Sequence, residues 1–560
     1  MKKICFFLLI LALFISSCAP SLSLPPPDLQ APLAFWISPV LGKKPASERP
    51  LNAVKMQWSD VYLEDYLYLP TEGSLSSLQV WFSGTENCLL NGKSLKNGQT
   101  LSLKQTGAYA LTLGGEEHTL NVMKSANIGS LYLTTESGSM DYIHLEKGNK
   151  ESGTIYYANS SGKVVYQGEL KELKGRGNAT WDKAKKPYQL KLPEPREMVT
   201  GAGKHGTWIL LANHCEKTLI RNKIAYDLAA DAGLPYSTRS EFADLYCNGE
   251  YMGNYQLCEK VQIGENRIEI TDLEKATEKI NSEKLKDYPS FGPKGGYKAG
   301  KRKGVEIPND PENISGGYLL EIDYADRYKE EASGFVTDRE RPVVIKEPEY
   351  ASYAQVQYVA DYFQEFEDAV YAPDGRCPTT GKGFWEYVDL TSLAKKYVLE
   401  EFVKNIDADR TSQFYYKPAD SIAYCGPVWD YDNAFDNFKS GNRNDGMFAA
   451  EHQNYLYAHL KNHEIFMDEV KKQWNEVYAP LSAVLLGESK PKKGTLLCAI
   501  EDYYTLLTPS AAMNYTLWNT IDIPENNNYV DTGSTYQEHM DYLSDYIDER
   551  TLYLNFEWME

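Results

Sequence analysis

Two stretches of this chain hold the residue types that phosphate chemistry needs. The first is basic: Lys171, Lys174, Arg176, Lys183, Lys185, Lys186 and Lys191 put seven positive charges within 21 residues, against Glu172 and Asp182. Inside it, Gly175-Arg176-Gly177-Asn178-Ala179-Thr180-Trp181 reads as a flexible turn whose backbone N–H groups can face an anion. The second is acidic: Asn405-Ile406-Asp407-Ala408-Asp409 precedes Phe414-Tyr415-Tyr416, and Trp429-Asp430-Tyr431-Asp432 follows, with Asp430 lying 23 residues beyond Asp407. Paired carboxylates of this kind suit one aspartate that takes a hydroxyl proton and another that holds Mg²⁺, a hard cation that prefers oxygen. The residue types alone also admit a solvated basic hairpin, acidic surface loops or structural Ca²⁺.

The elements that must position these groups follow from periodicity and turns. From 50 to 124 short β-type runs alternate, among them Leu78–Phe82 and Tyr109–Leu113, with a hairpin signal at Asn91-Gly92; this predicts a small β-sandwich. A second β-rich stretch runs from Leu131 to about Leu192, followed by a strand at Trp208–Leu211. A helix is predicted over Thr218–Ala232, with Leu219, Ile220, Ile224, Leu228 and Ala229 on one side and Gly233 as its stop. A hairpin, Phe242–Glu259, turns at Asn248-Gly249. Residues 274–314 are polar and rich in Gly and Lys and read as an insertion. Its Lys294, Lys298, Lys301, Arg302 and Lys303 form a candidate dock for acidic partners. Beyond a strand at Tyr318–Ile322 the sequence is mostly helical.

Composition narrows the function. The chain has 560 residues and a net charge of −20, which argues against a general nucleic-acid partner. Gly201-Ala202-Gly203-Lys204-His205-Gly206 matches GxGxxG but precedes a strand, so a dinucleotide-binding reading fails on order. No CxxC pair occurs, and His459 and His463 lack an evident third ligand, so neither zinc nor a disulfide framework is expected. At the N-terminus, Lys2 and Lys3 precede an apolar run, Ile4 to Ile15, and Ile15-Ser16-Ser17-Cys18 looks like a lipobox. This predicts a lipoprotein signal peptide over 1–18, lipidation at Cys18, an extracytoplasmic location and membrane attachment through a lipid anchor. A Pro-rich linker over 19–49 would follow. The 42 tyrosines have no evident role at this level.

Several motifs, in order, carry a resemblance. They are Gly175–Trp181, Lys185-Lys186-Pro187-Tyr188-Gln189-Leu190-Lys191-Leu192, Leu219-Ile220-Arg221-Asn222, and Asn248-Gly249-Glu250-Tyr251-Met252-Gly253-Asn254-Tyr255 leading to Glu259. Gly316-Gly317-Tyr318-Leu319-Leu320-Glu321-Ile322-Asp323, the Asp407 segment and Trp429–Asp432 complete them. From about residue 128 to 560 the chain resembles the CotH kinase family, atypical kinases named after a spore-coat protein. The resemblance implies an α+β, bilobal protein-kinase-like domain over 125–560, with an N-lobe to about 263 and a C-lobe from about 315. It implies transfer of the γ-phosphoryl of ATP, with Mg²⁺ or Mn²⁺, to Ser or Thr of exported protein substrates. Asp407 is then the base and Asp430 the metal ligand, with Asp432 a second candidate. Arg176 covers the phosphates, and Lys186 or Lys191 pairs with them. Cys258 to Val261, with Glu259, is the hinge that meets adenine, and Arg221 organises the helix. Position 412 is Ser where a kinase loop carries a metal-binding Asn, with Asp409 or Asp432 available to compensate. The alternative is a catalytically weak relative that serves as a surface binding or assembly lipoprotein.

Overall fold

The computed structural model describes residues 23–24, 30–40, 45–292, 298–439, 446–452 and 454–559. The leader with Cys18 lies outside them, as does part of the lysine-rich 292–304 segment. Among the described residues no helix is long and apolar enough to cross a membrane.

The N-terminal module is a pair of antiparallel-rich sheets, one of four strands and one of six. It begins before residue 50. Ala34–Pro39 lies between Leu78–Ser83 and Val54–Lys55 in the four-stranded sheet, burying Phe35 and Ile37, so the expected linker over 19–49 supplies a core strand.

The predicted N-lobe is built on a closed barrel of seven strands. In spatial order they are Gly129–Thr135, Lys150–Ala158, Val164–Gly175, Tyr188–Arg196, His205–Leu211, Glu250–Glu259 and Ser240–Cys247. Closure comes from a parallel pairing, Gly129 opposite Ala243 through Leu133 opposite Cys247. The alternate residues Leu131, Leu133, Leu170, Leu190, Leu210, Leu245 and Leu257 fill the interior.

Four of the tyrosines sit where sandwich meets barrel. Tyr132 and Tyr246 stack at 4.7 Å, Tyr68 and Tyr251 lie 4.8 Å apart, and the Tyr246 hydroxyl donates to the Tyr68 carbonyl. Gln57 exchanges two hydrogen bonds with the Tyr251 backbone. Tyrosine suits such a seam because it brings a large apolar face with a hydroxyl that can be satisfied locally.

The helix forms over Arg221–Asp231. Gly233, at φ +73°, stops it: the Gly233 N–H donates to Ala230 O and the Leu234 N–H to Ala229 O, pairing carbonyls the helix leaves open. Its Ile224, Ala225, Leu228 and Ala229 join the core of the C-terminal half, where a fully buried Ile or Leu contributes about 1.5–3 kcal/mol and an Ala less. That half is a seven-stranded sheet with helices around it. Tyr318–Ile322 runs between Pro342–Glu347 and Gln413–Lys417. The Gly/Lys-rich insertion is not a free arm throughout. Arg302–Val305 is a strand of this sheet, Arg302 pairs with Asp361 at 2.5 Å, and Lys303 is buried against the Tyr328 ring. These two cations are therefore committed to the fold, which removes them from the expected dock.

Candidate functional site

A cleft of about 880 Å³ opens between the barrel and the C-terminal sheet, and both sequence clusters reach it. From the barrel side come Lys147, Arg176, Lys183 and Lys260, with the turn 177–180, Ile209, Leu211 and Asn222. From the C-terminal side come Glu321, Asp323, Glu330, Glu331, Asp407, Asp430 and Asp432, with Tyr324, Arg327, Lys346, Arg410, Ser412 and Trp429. Every carboxylate in the lining belongs to the C-terminal wall.

The basic turn is held by its own residues. A Cβ on Gly175 would sit 2.3 Å from the Trp181 ring, and Gly177 has φ +82°, so neither position admits a side chain without rearrangement. Lys147 donates to Gly177 O at 3.0 Å. Lys186 folds back onto the turn, donating to Trp181 O at 2.7 Å with its ammonium 4.7 Å from the Trp181 ring centre. This leaves Arg176 facing the cleft, its guanidinium 5.3 Å from the Trp429 ring centre, while Trp429 stacks on Tyr226.

The acidic wall is positioned by alternation. Tyr431 is fully buried: its hydroxyl joins Lys396 and Glu400, and its N–H donates to Asn222 Oδ1 at 2.7 Å. Asp430 and Asp432, one residue to either side, both line the cleft. Arg221 is buried and bonds Ala434 O, Glu216 and Thr218, so it ties the helix to this loop and does not line the cleft. Asp409 carries no cleft surface. It is buried and accepts from the Tyr457 N–H at 2.9 Å, fastening the Asp407 loop to the core, so it is not available to compensate for Ser412. Asp409, Ser412 and Asp430 all have positive φ, from +53° to +68°. Such strain persists only where the surroundings impose it.

Electrostatics bind the three acids together. Desolvation raises the pKa of Asp407, opposed by the Tyr324 hydroxyl, which donates to Asp407 Oδ1 at 3.1 Å, and by Arg410. Protein surrounds Asp430 although its carboxylate reaches cleft solvent. That desolvation, then Asp407, pushes its pKa up, and Arg176 pulls it down. Asp432 is raised by desolvation and then by Asp430 and Asp407. Three acids that repel one another in this way gain from a cation among them.

Other predicted residues lie elsewhere. Lys191 is exposed on the sheet opposite Glu172 and Thr207, outside the lining. Glu259 lines a separate cavity of about 180 Å³ with Arg239 and Arg267. It accepts from the Arg239 N–H at 2.6 Å, and burial pushes its pKa up to about 7. Lys260 and Val261 line both spaces. His459 stacks on Tyr371 and His463 Nε2 meets Val370 O, and among the described residues they belong to no group of three potential metal ligands. The seven cysteines after Cys18 form no disulfide. Sequence reasoning did not single out Asp323, Tyr324 or Lys147, and it counted Lys183 only as one charge of the basic cluster. Asp323 closes a quoted motif, and an acid just past a buried strand end is the signal that could have found it.

One more segment borders the site. Glu525 pairs with Lys183 at 2.5 Å and His214 at 3.3 Å, and the Tyr529 hydroxyl donates to Asn433 Oδ1 at 3.0 Å. Residues 525–529 thus strap the basic turn to the acidic loop.

The sequence pattern of the CotH kinase protein family matches residues 173–554. The chain belongs to this family. The match spans both walls of the cleft and both acidic segments, and no curated protein matches the chain. The donor set fits Mg²⁺ of the kind that arrives with a nucleotide. Asp430 and Asp432 offer hard oxygen, yet among the described residues no group of three or more His, Cys, Asp or Glu is gathered to hold a metal alone.

Proposed function

We propose that this CotH kinase family member is an extracytoplasmic, lipid-anchored protein kinase with a bilobal, kinase-like working arrangement. It would transfer the γ-phosphoryl of ATP to Ser or Thr of exported proteins. The observation that carries this reading is the segregation of charge across the cleft. A polyphosphate can lie against a wall whose charged side chains are all cations, but a wall with seven carboxylates against the three cations Arg327, Lys346 and Arg410 repels it unless a divalent cation intervenes.

On this reading Arg176 and the N–H groups of the 177–180 turn hold the outer phosphates, and Ile209, Leu211 and Val261 border the nucleoside. Mg²⁺ or Mn²⁺ held by Asp430 and Asp432 would offset the net negative charge of the acidic wall where the phosphates approach it. Asp407 takes the acceptor hydroxyl proton as the new O–P bond forms and the bond to the departing ADP oxygen breaks. The second reading, a catalytically weak surface-binding lipoprotein, draws on Ser412 and on the burial of Asp409.

Residues 19–560 with Mg²⁺ or Mn²⁺ and γ-labelled ATP should label themselves or a Ser-rich substrate, and Asp407→Asn or Asp430→Asn should cut labelling at least about 100-fold, to a small residual rate. Equal background from all three proteins would favour the binding protein. Labelled palmitate should enter the wild-type chain in cells and not Cys18→Ser.

A further inference from the structure

The loop that carries Asp407 is gripped by three successive residues of one buried strand and its exit. Tyr318–Ile322 is central in its sheet, and its last residue, Ile322, pairs with Gln413 just after the loop. The next residue, Asp323, accepts from Thr411 Oγ1 at 2.6 Å, and its Oδ1 also accepts from the Tyr324 N–H at 2.8 Å. Tyr324 then donates its hydroxyl to Asp407 Oδ1 at 3.1 Å. Residues 322, 323 and 324 thus engage 413, 411 and 407 in order.

Tyr324 is not used for packing. It belongs to no hydrophobic core among the described residues, it is 37 % exposed, and it lines the cleft. Its ring instead lies 4.7 Å from the Arg410 guanidinium, which fixes the phenol from the solvent side. A carboxylate with one oxygen held by a fixed phenol has its rotamer set, and its remaining lone pairs face a defined direction.

We infer that Tyr324 is a positioning residue for Asp407, holding the carboxylate in the direction from which it meets the acceptor hydroxyl. This rests on the kinase reading. Because Tyr324 acts on the acceptor side and touches none of Arg176, Asp430 and Asp432 by hydrogen bond, its loss should act on turnover and not on nucleotide binding.

The test is Tyr324→Phe, which keeps the ring under Arg410 and removes only the hydroxyl. Steady-state transfer by residues 19–560 should show kcat about tenfold lower, with KM for ATP within about twofold and an unchanged unfolding midpoint. In an Asp407→Asn background the same change should cost less than about twofold, since the group it positions is gone. A tenfold loss in both backgrounds, a KM for ATP that rises in step, or an unchanged kcat overturns the assignment. Absence of transfer by the wild-type chain overturns the kinase reading, and the assignment with it, and is seen before any Tyr324 variant is compared.

Discussion

The two walls of the cleft differ in charge and in construction. The barrel wall is a closed sheet whose strands pair on both sides, and it presents cations on a turn held by glycines and by Lys147 and Lys186. The C-terminal wall presents Asp407, Asp430 and Asp432 from loops, Asp430 in a left-handed backbone conformation. A closed sheet gives a rigid support that needs little further fixing. The acid loops need anchors in the core, and each has one: Tyr431 for Asp430 and Asp432, Asp409 for Asp407. Acids held close against their mutual repulsion require such anchors, whereas cations spread along a turn do not.

Changes on the acidic wall should cost most. Asp407→Asn or Asp430→Asn should lower kcat by at least about 100-fold in labelled-ATP transfer, since general-base and metal-clamp contributions are of that order. If either retains near-normal turnover, the walls do not divide the labour in this way. On the basic wall, Arg176→Ala should lower kcat/KM for ATP by roughly tenfold, chiefly through KM, because the remaining cations and N–H groups still face the phosphates. A loss confined to kcat would assign Arg176 to the transition state alone.

A third change lies behind the basic wall. Lys185 is buried, donates to Asn254 O and Asn514, and burial pulls its pKa down to about 7. A lysine with a depressed folded pKa adds stability above its unfolded value near 10.5, and that stability is lost as pH falls toward about 7. The unfolding midpoint of wild type relative to Lys185→Met should therefore rise from pH 7 to pH 10. A pH-independent difference would mean that Lys185 is charged at neutrality. The smallest effect is expected from Lys191→Ala, outside both walls: ATP transfer should stay within about twofold, and a large loss would extend the basic wall along the strand.

The acid segments were legible because their pattern is local: two clusters of aspartates lie close to aromatic, β-like runs, although Asp409 of the first is buried. The basic turn was legible for the same reason. What escaped depends on partners distant in sequence. Barrel closure requires residues near 130 to pair with residues near 245, which no local periodicity announces. The lysines could not be told apart by spacing: Lys147 and Lys183 line the cleft while Lys186 and Lys191 do not, and only the path of the strand decides this. Ala34–Pro39 was hidden by its Pro-rich surroundings, although Phe35 and Ile37 alternate as a core strand requires.

The strap at 525–529 limits traffic through the site. Glu525 holds Lys183 beside the basic turn and Tyr529 holds Asn433 of the acidic loop, so the strap ties the two walls together at that flank. Tyr324, Arg327 and Arg410 border another part of the cleft. If the chain is the kinase proposed above, a protein substrate would enter past Tyr324, and cutting the Glu525 contact would free the strapped flank as a second doorway.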